Sequence, residues 1–93
     1  MTIMKKQYIL TCIKERTNSR HTMTGTVEEL VESCSYTLEC GQSYQHEKGN
    51  KKINRNPKSI SSLVNNLNNA VNNSAANGYA GKYYVAEEIT NGT

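Results

Sequence analysis

NPKSISSLVNNLNNAVNNSAANG, residues Asn56–Gly78, reads as one long amphipathic helix. Ile60, Leu63, Val64, Leu67, Ala70, Val71 and Ala75 recur at steps of three and four, which at 3.6 residues per turn places them on a single stripe. The opposite face is amide: Asn65, Asn66, Asn68, Asn69, Asn72, Asn73 and Asn77. Asn56 as N-cap, Pro57 at the first helical position and Gly78 as a left-handed stop predict a helix across the whole stretch. Each asparagine in a helix costs up to about 0.7 kcal/mol relative to alanine. That is a high cost for a face that only has to be wetted, and it points to amides with a use.

Working outward, the chain has 93 residues and a net charge of +3, enough for one domain over residues 1–93 with residues 1–6 and 91–93 frayed. It has no Phe and no Trp, and only 35% of its residues are hydrophobic, so aliphatic side chains and six tyrosines must build the core. A helix of about 20 residues is about 30 Å long, close to the width of a domain of this size. A second subunit is the simplest cover for what protrudes, so a homo-oligomer is expected. Three cysteines, Cys12, Cys34 and Cys40, form no disulfide framework and fit a reducing cytoplasm. The apolar run from Tyr8 to Ile13 is too short for a signal peptide or a membrane span, so no membrane association is expected.

Before the long helix, Gln7–Arg16 alternates and is rich in strand formers, Thr17–Arg20 is a polar turn, and His21–Thr24 is a candidate short second strand. Thr26 with Glu29 three residues on makes a capping box, and Val27, Leu30, Val31, Cys34 and Leu38 continue a stripe to Cys40, where Gly41 is placed to end a single helix. After the long helix, Lys82–Thr90 alternates again and predicts a strand antiparallel to the first. The expected architecture is a small α+β domain, β-(β)-α-α-β. Two helices lie on one face of a two- or three-stranded antiparallel sheet, and the domain is oligomeric.

The segment Gln42–Arg55 is polar and basic, and Lys48, Lys51, Lys52, Arg55 and Lys58 crowd toward the start of the long helix. Such a stretch is often a solvated loop. It also has the makings of an anion site, because a helix N-terminus presents unpaired N–H groups and a positive dipole end, to which lysine and arginine add charge-assisted hydrogen bonds. Amides donate and accept, and tyrosines stack on bases. These properties nominate Tyr44, Lys51, Lys52, Arg55, Asn56 and Lys58 near one end of the helix, and Asn73, Asn77 and Tyr79 near the other, as ligand-binding residues. An antiparallel dimer or a ring would bring the two groups together. No catalytic residues, metal site or cofactor are expected. The chain has no aspartate, its Cys34, Cys40 and His46 follow no zinc spacing, and its glycines match no nucleotide-loop or nucleophile motif.

The segments SYTLECGQSYQHEKGNKKINRNPKSISSLVNNLNNA (residues 35–70) and NNSAANGYAGKYYVAEEI (residues 72–89) look like those of small phage-encoded proteins. From Lys6 to Ile89 the arrangement of strand region, helices and final strand is similar to that of the Thoeris anti-defence sponges. This resemblance implies an oligomer that sequesters a cyclic nucleotide immune signal, such as a cyclic ADP-ribose isomer, in the host cytoplasm without cleaving it, using Arg, Asn and aromatic residues at subunit interfaces. Two other readings stand beside it. A small nucleic-acid-binding protein would set Lys51, Lys52, Arg55 and Lys58 against phosphates. A protein inhibitor of a host enzyme would use an exposed surface.

Overall fold

A computed structural model describes residues 6–75 and 80–89, and in it the alternating segments near the two ends of the chain meet in one sheet. Strands β1 (Tyr8–Lys14), β2 (Ser19–Gly25) and β3 (Lys82–Glu88) are antiparallel in the order β2-β1-β3. The last strand pairs with the first as expected, with Thr11 opposite Val85 at the middle of the register. The second strand is longer than His21–Thr24, because β1 offers a partner to every residue from Ser19 to Gly25. Asn18 takes a left-handed conformation (φ 55°) in the connecting turn, which asparagine tolerates better than most residues.

Among the described residues three helices follow where two were expected: α1 (Val27–Ser33), α2 (Ser35–Ser43) and α3 (Ile60–Asn73). The capping box at the start of α1 is present. Thr26 N–H donates to Glu29 Oε1 at 2.9 Å, and Glu29 N–H donates to Thr26 Oγ1 at 3.2 Å. The single helix predicted to run to Cys40 breaks at Cys34, whose backbone (φ −100°, ψ 10°) leaves the helical region. On either side of the break α1 packs against β2 and α2 packs against α3. Gly41 does not end a helix. It lies inside α2, where any Cβ would overlap the Cα and Cβ of Ala70, so its bare backbone is what allows α2 and α3 to touch.

The long helix is shorter than its stripe. It begins after Ser59, whose hydroxyl accepts from Ser62 N–H at 3.2 Å, so Ser59 is the N-cap and not Asn56. Asn56 N–H instead donates to Asn54 Oδ1 at 2.9 Å, a local turn that holds the chain out of the helix, and Pro57 is buried ahead of the first turn. Ser74 is the C-cap. Gly78, the expected stop, lies outside the described residues. Fourteen residues make about 21 Å of helix, so helix length no longer argues for a partner subunit.

The helices pack on one face of the sheet. Leu10 and Tyr84 from the sheet meet Leu30, Cys34 and Leu38 from α1, the break and α2, together with Leu63, Leu67, Ala70 and Val71 of α3 and Ile53 of the preceding loop. Leu10, Leu38, Leu63 and Leu67 are fully buried, each contributing about 1.5–3 kcal/mol. Asn68 fastens α3 to the outer edge of β3. Its Nδ2 donates to Tyr84 O at 3.1 Å and its Oδ1 accepts from Tyr84 N–H at 2.7 Å, the pair of bonds that a neighbouring strand would make.

Candidate functional site

The basic segment between α2 and α3 has no regular secondary structure, yet its backbone is held at several points by amide side chains. Asn73 Oδ1 accepts from Lys51 N–H at 3.0 Å, and its Nδ2 donates to Lys51 O at 2.8 Å and to Gly41 O at 3.0 Å. Gln45 Oε1 accepts from Ile53 N–H at 2.9 Å, and Gln42 Nε2 reaches Ile53 O at 3.4 Å. Asn66 Oδ1 accepts from Asn54 N–H at 2.8 Å while its Nδ2 donates to Ser62 O, also at 2.8 Å. Ile53 is driven into the core between these clips.

The direction of the loop follows from them. Lys51 lies beside Asn73 at the C-terminal end of α3, Asn54 beside Asn66 nearer its start, and the chain then turns into the helix at Ser59. Lys51 therefore does not gather at the helix start with the other cations. It meets Asn73 within one subunit, where the sequence had placed the two at opposite ends of the helix.

This course opens a cleft of about 1010 Å³ between α1 and the loop. One wall is Val27, Glu28, Val31 and Glu32 of α1, with Ser35 at the start of α2. The other is the run from Lys52 to Lys58, and Gln42 and Asn66 complete the lining. Lys52, Arg55 and Lys58 give the loop wall positive charge, and the helix wall is acidic and apolar in alternation. Arg55 is itself paired with Glu39, Nη2 to Oε2 at 3.2 Å, across an exposed surface where such a pair contributes little to stability.

Of the nominated residues, Lys52, Arg55, Asn56 and Lys58 line this cleft. Tyr44, Lys51 and Asn73 do not. Tyr44 is half-buried at the end of α2 with its carbonyl accepting from Asn50 Nδ2 at 2.7 Å, and the Asn73 amide is directed at backbone. Asn77 and Tyr79 lie outside the described residues. Missed in the sequence were Glu28, Glu32, Val27 and Val31. Their signal was present in α1, where they follow one another at three- and four-residue steps on a flank of the helix that the core stripe only partly uses.

Burial pushes the Cys34 thiol up to about 11, helped by nearby Cys12, and burial likewise raises the Tyr84 phenol. Both groups are held neutral in the core and neither lines the cleft. Among the described residues no three His, Cys or Glu side chains converge as a metal ion would need. No described helix is long and apolar enough to cross a membrane. Compared with family models, with curated proteins and with solved structures, the chain matches none, so the cleft is read from its own residues.

Proposed function

We propose that this small α+β protein is a non-catalytic binding protein that sequesters an anionic ligand of the nucleotide class in the cleft between α1 and residues 52–58. The observation that carries the reading is a preformed cationic wall. Lys52, Arg55 and Lys58 stand on a loop whose backbone is already fixed by Asn66, Asn73, Gln42 and Gln45, so little ordering remains to be done on binding. A phosphate group suits that wall. Val27 and Val31 offer apolar surface to a ring, and the carboxylates of Glu28 and Glu32 accept from N–H groups of a base. A nucleic-acid strand fits less well, because its repeated phosphates would also meet Glu28 and Glu32.

A cyclic nucleotide immune signal is the first ligand to try, since the resemblance to anti-defence sponges implies one. The protein would then act for a phage in the host cytoplasm. The test is calorimetric titration with a panel of linear and cyclic nucleotides, alongside chromatography of whatever the protein releases on heating after incubation in lysate. Each of Lys52→Ala and Lys58→Ala is expected to weaken binding about 10- to 100-fold, the worth of one charge-assisted hydrogen bond, with unchanged melting. No bound or released nucleotide, together with DNA or RNA binding that falls steeply with salt, overturns the proposal in favour of the nucleic-acid reading.

A further inference from the structure

The helices occupy one face of the sheet, and the opposite face leaves Tyr83 and Val85 of β3 exposed. In antiparallel strands, residues directly opposite one another point to the same face. The register therefore places Arg20, Ile13 and Tyr83 in one row, Thr22, Thr11 and Val85 in the next, and Thr24, Ile9 and Glu87 in the third. Tyr83 is 38% and Val85 44% exposed, whereas Ile13 in the same row as Tyr83 is buried. Ile9, Thr11, Arg20, Val85 and Glu87 border a shallow depression of about 240 Å³ on this side.

The two charges sit at diagonally opposite corners. Two strand spacings and four residues of rise separate their backbones by about 16 Å, more than an arginine and a glutamate can span comfortably. Each is thus left to find its complement elsewhere. We propose that this face is a self-association surface on which a second copy of the chain packs face to face with strands crossed near a right angle, one of the two ways sheets stack. The two-fold axis lies between the sheets and runs along the other diagonal, from Thr24 through Thr11 to Tyr83. That rotation sets Arg20 of each copy over Glu87 of the other, Val85 over the row in which Ile13 is buried, Ile9 over Thr22, and Tyr83 against its own counterpart. Axes parallel or perpendicular to the strands bring no opposite charges together. The occupant is chosen by this pattern, in which unlike charges meet at both corners and Tyr83 meets its own counterpart under one operator, as an isologous interface requires. The face is independent of the ligand cleft, which lies among the helices.

The test is sedimentation equilibrium from about 5 to 500 µM, a range suited to an interface at the small end of the specific class. The apparent mass is expected to rise from 10.4 kDa toward twice that value. Arg20→Glu alone and Glu87→Arg alone should each hold the protein at the lower mass, because like charges then face each other at both corners. An equal mixture of the two variants should recover association, since the mixed pair restores a plus-to-minus contact at both corners. Val85→Lys should abolish association with an unchanged circular dichroism spectrum. A single-chain mass at every concentration overturns the proposal. So does association that survives the charge reversals, or a mixture that fails to recover it.

Discussion

Replacing Asn73 by alanine tests whether the amides of α3 are structural. The side chain is 8% exposed and makes three hydrogen bonds, to Lys51 N–H at 3.0 Å, Lys51 O at 2.8 Å and Gly41 O at 3.0 Å. Each such bond contributes about 0.5–1.5 kcal/mol net, and a buried group left without its partner costs about 1–3 kcal/mol. The Lys51 groups border solvent and would regain water, and Gly41 O, though buried, keeps the Tyr44 N–H at 3.3 Å. Summing about 1 kcal/mol for each of the three bonds gives roughly 3 kcal/mol. Alanine returns some of this through helix propensity, up to about 0.7 kcal/mol and less at the last helical residue. A net loss of about 2 kcal/mol follows, a substantial share of the roughly 5–14 kcal/mol expected for 93 residues. Urea unfolding followed by circular dichroism reads it directly, with Asn72→Ala as the control. Asn72 is exposed on the next position, and its replacement should be neutral or stabilise by a few tenths of a kcal/mol. Hydrogen exchange supplies the local readout, since the Lys51 amide should lose protection only in the Asn73 variant. Equal stability of the two variants would refute the clip. Lost ligand binding at full stability would return Asn73 to the ligand.

Gly41→Ala should destabilise by about 1–2 kcal/mol in the same assay, because overpacking against Ala70 outweighs the roughly 1 kcal/mol that alanine gains in a helix, and Ala70→Gly in the same chain should recover part of the loss. An increase in stability would mean that α2 and α3 do not touch there. Ser59→Ala should cost about 1 kcal/mol and Asn56→Ala clearly less; the reverse order would move the helix start back to Asn56. Stability should also fall in alkali. The Cys34 thiol titrates at about 11 in the native protein against an ordinary value of 9.0, so between these pH values the unfolded chain binds fewer protons than the folded one. Its contribution is complete below about pH 9 and is lost as the pH climbs toward 11, at no more than about 1.4 kcal/mol per pH unit. The raised Tyr84 phenol acts in the same sense at higher pH. Urea titrations at neutral and alkaline pH should show the fall, and Cys34→Ala should flatten it; an unaltered slope would show that another group drives it.

The sequence by itself determined what local physics specifies. Alternation in Tyr8–Lys14 and Lys82–Glu88 announced strands, the Thr26–Glu29 box marked the start of α1, and the three- and four-residue steps of Leu63, Leu67, Ala70 and Val71 defined the buried stripe of α3. The cationic run was equally visible, and half of the cleft came with it. The tertiary structure decided what each amide does. An asparagine bonds equally well to water, to a ligand or to a backbone amide, and nothing in its neighbours along the chain distinguishes Asn73, directed at Lys51 and Gly41, from exposed Asn72. A trace existed, because Asn66 and Asn73 are seven residues apart and fall on the same turns as Leu63, Leu67 and Ala70, so they belong to the inner face and not the outer one. Gly41 was ambiguous for the same kind of reason, since a glycine that ends a helix and one that admits a neighbouring helix look alike until the neighbour is in place. The break at Cys34 and the return of the 51–58 loop along α3 depend on contacts between residues far apart in the chain. Those contacts form the cleft, and local periodicity does not encode them.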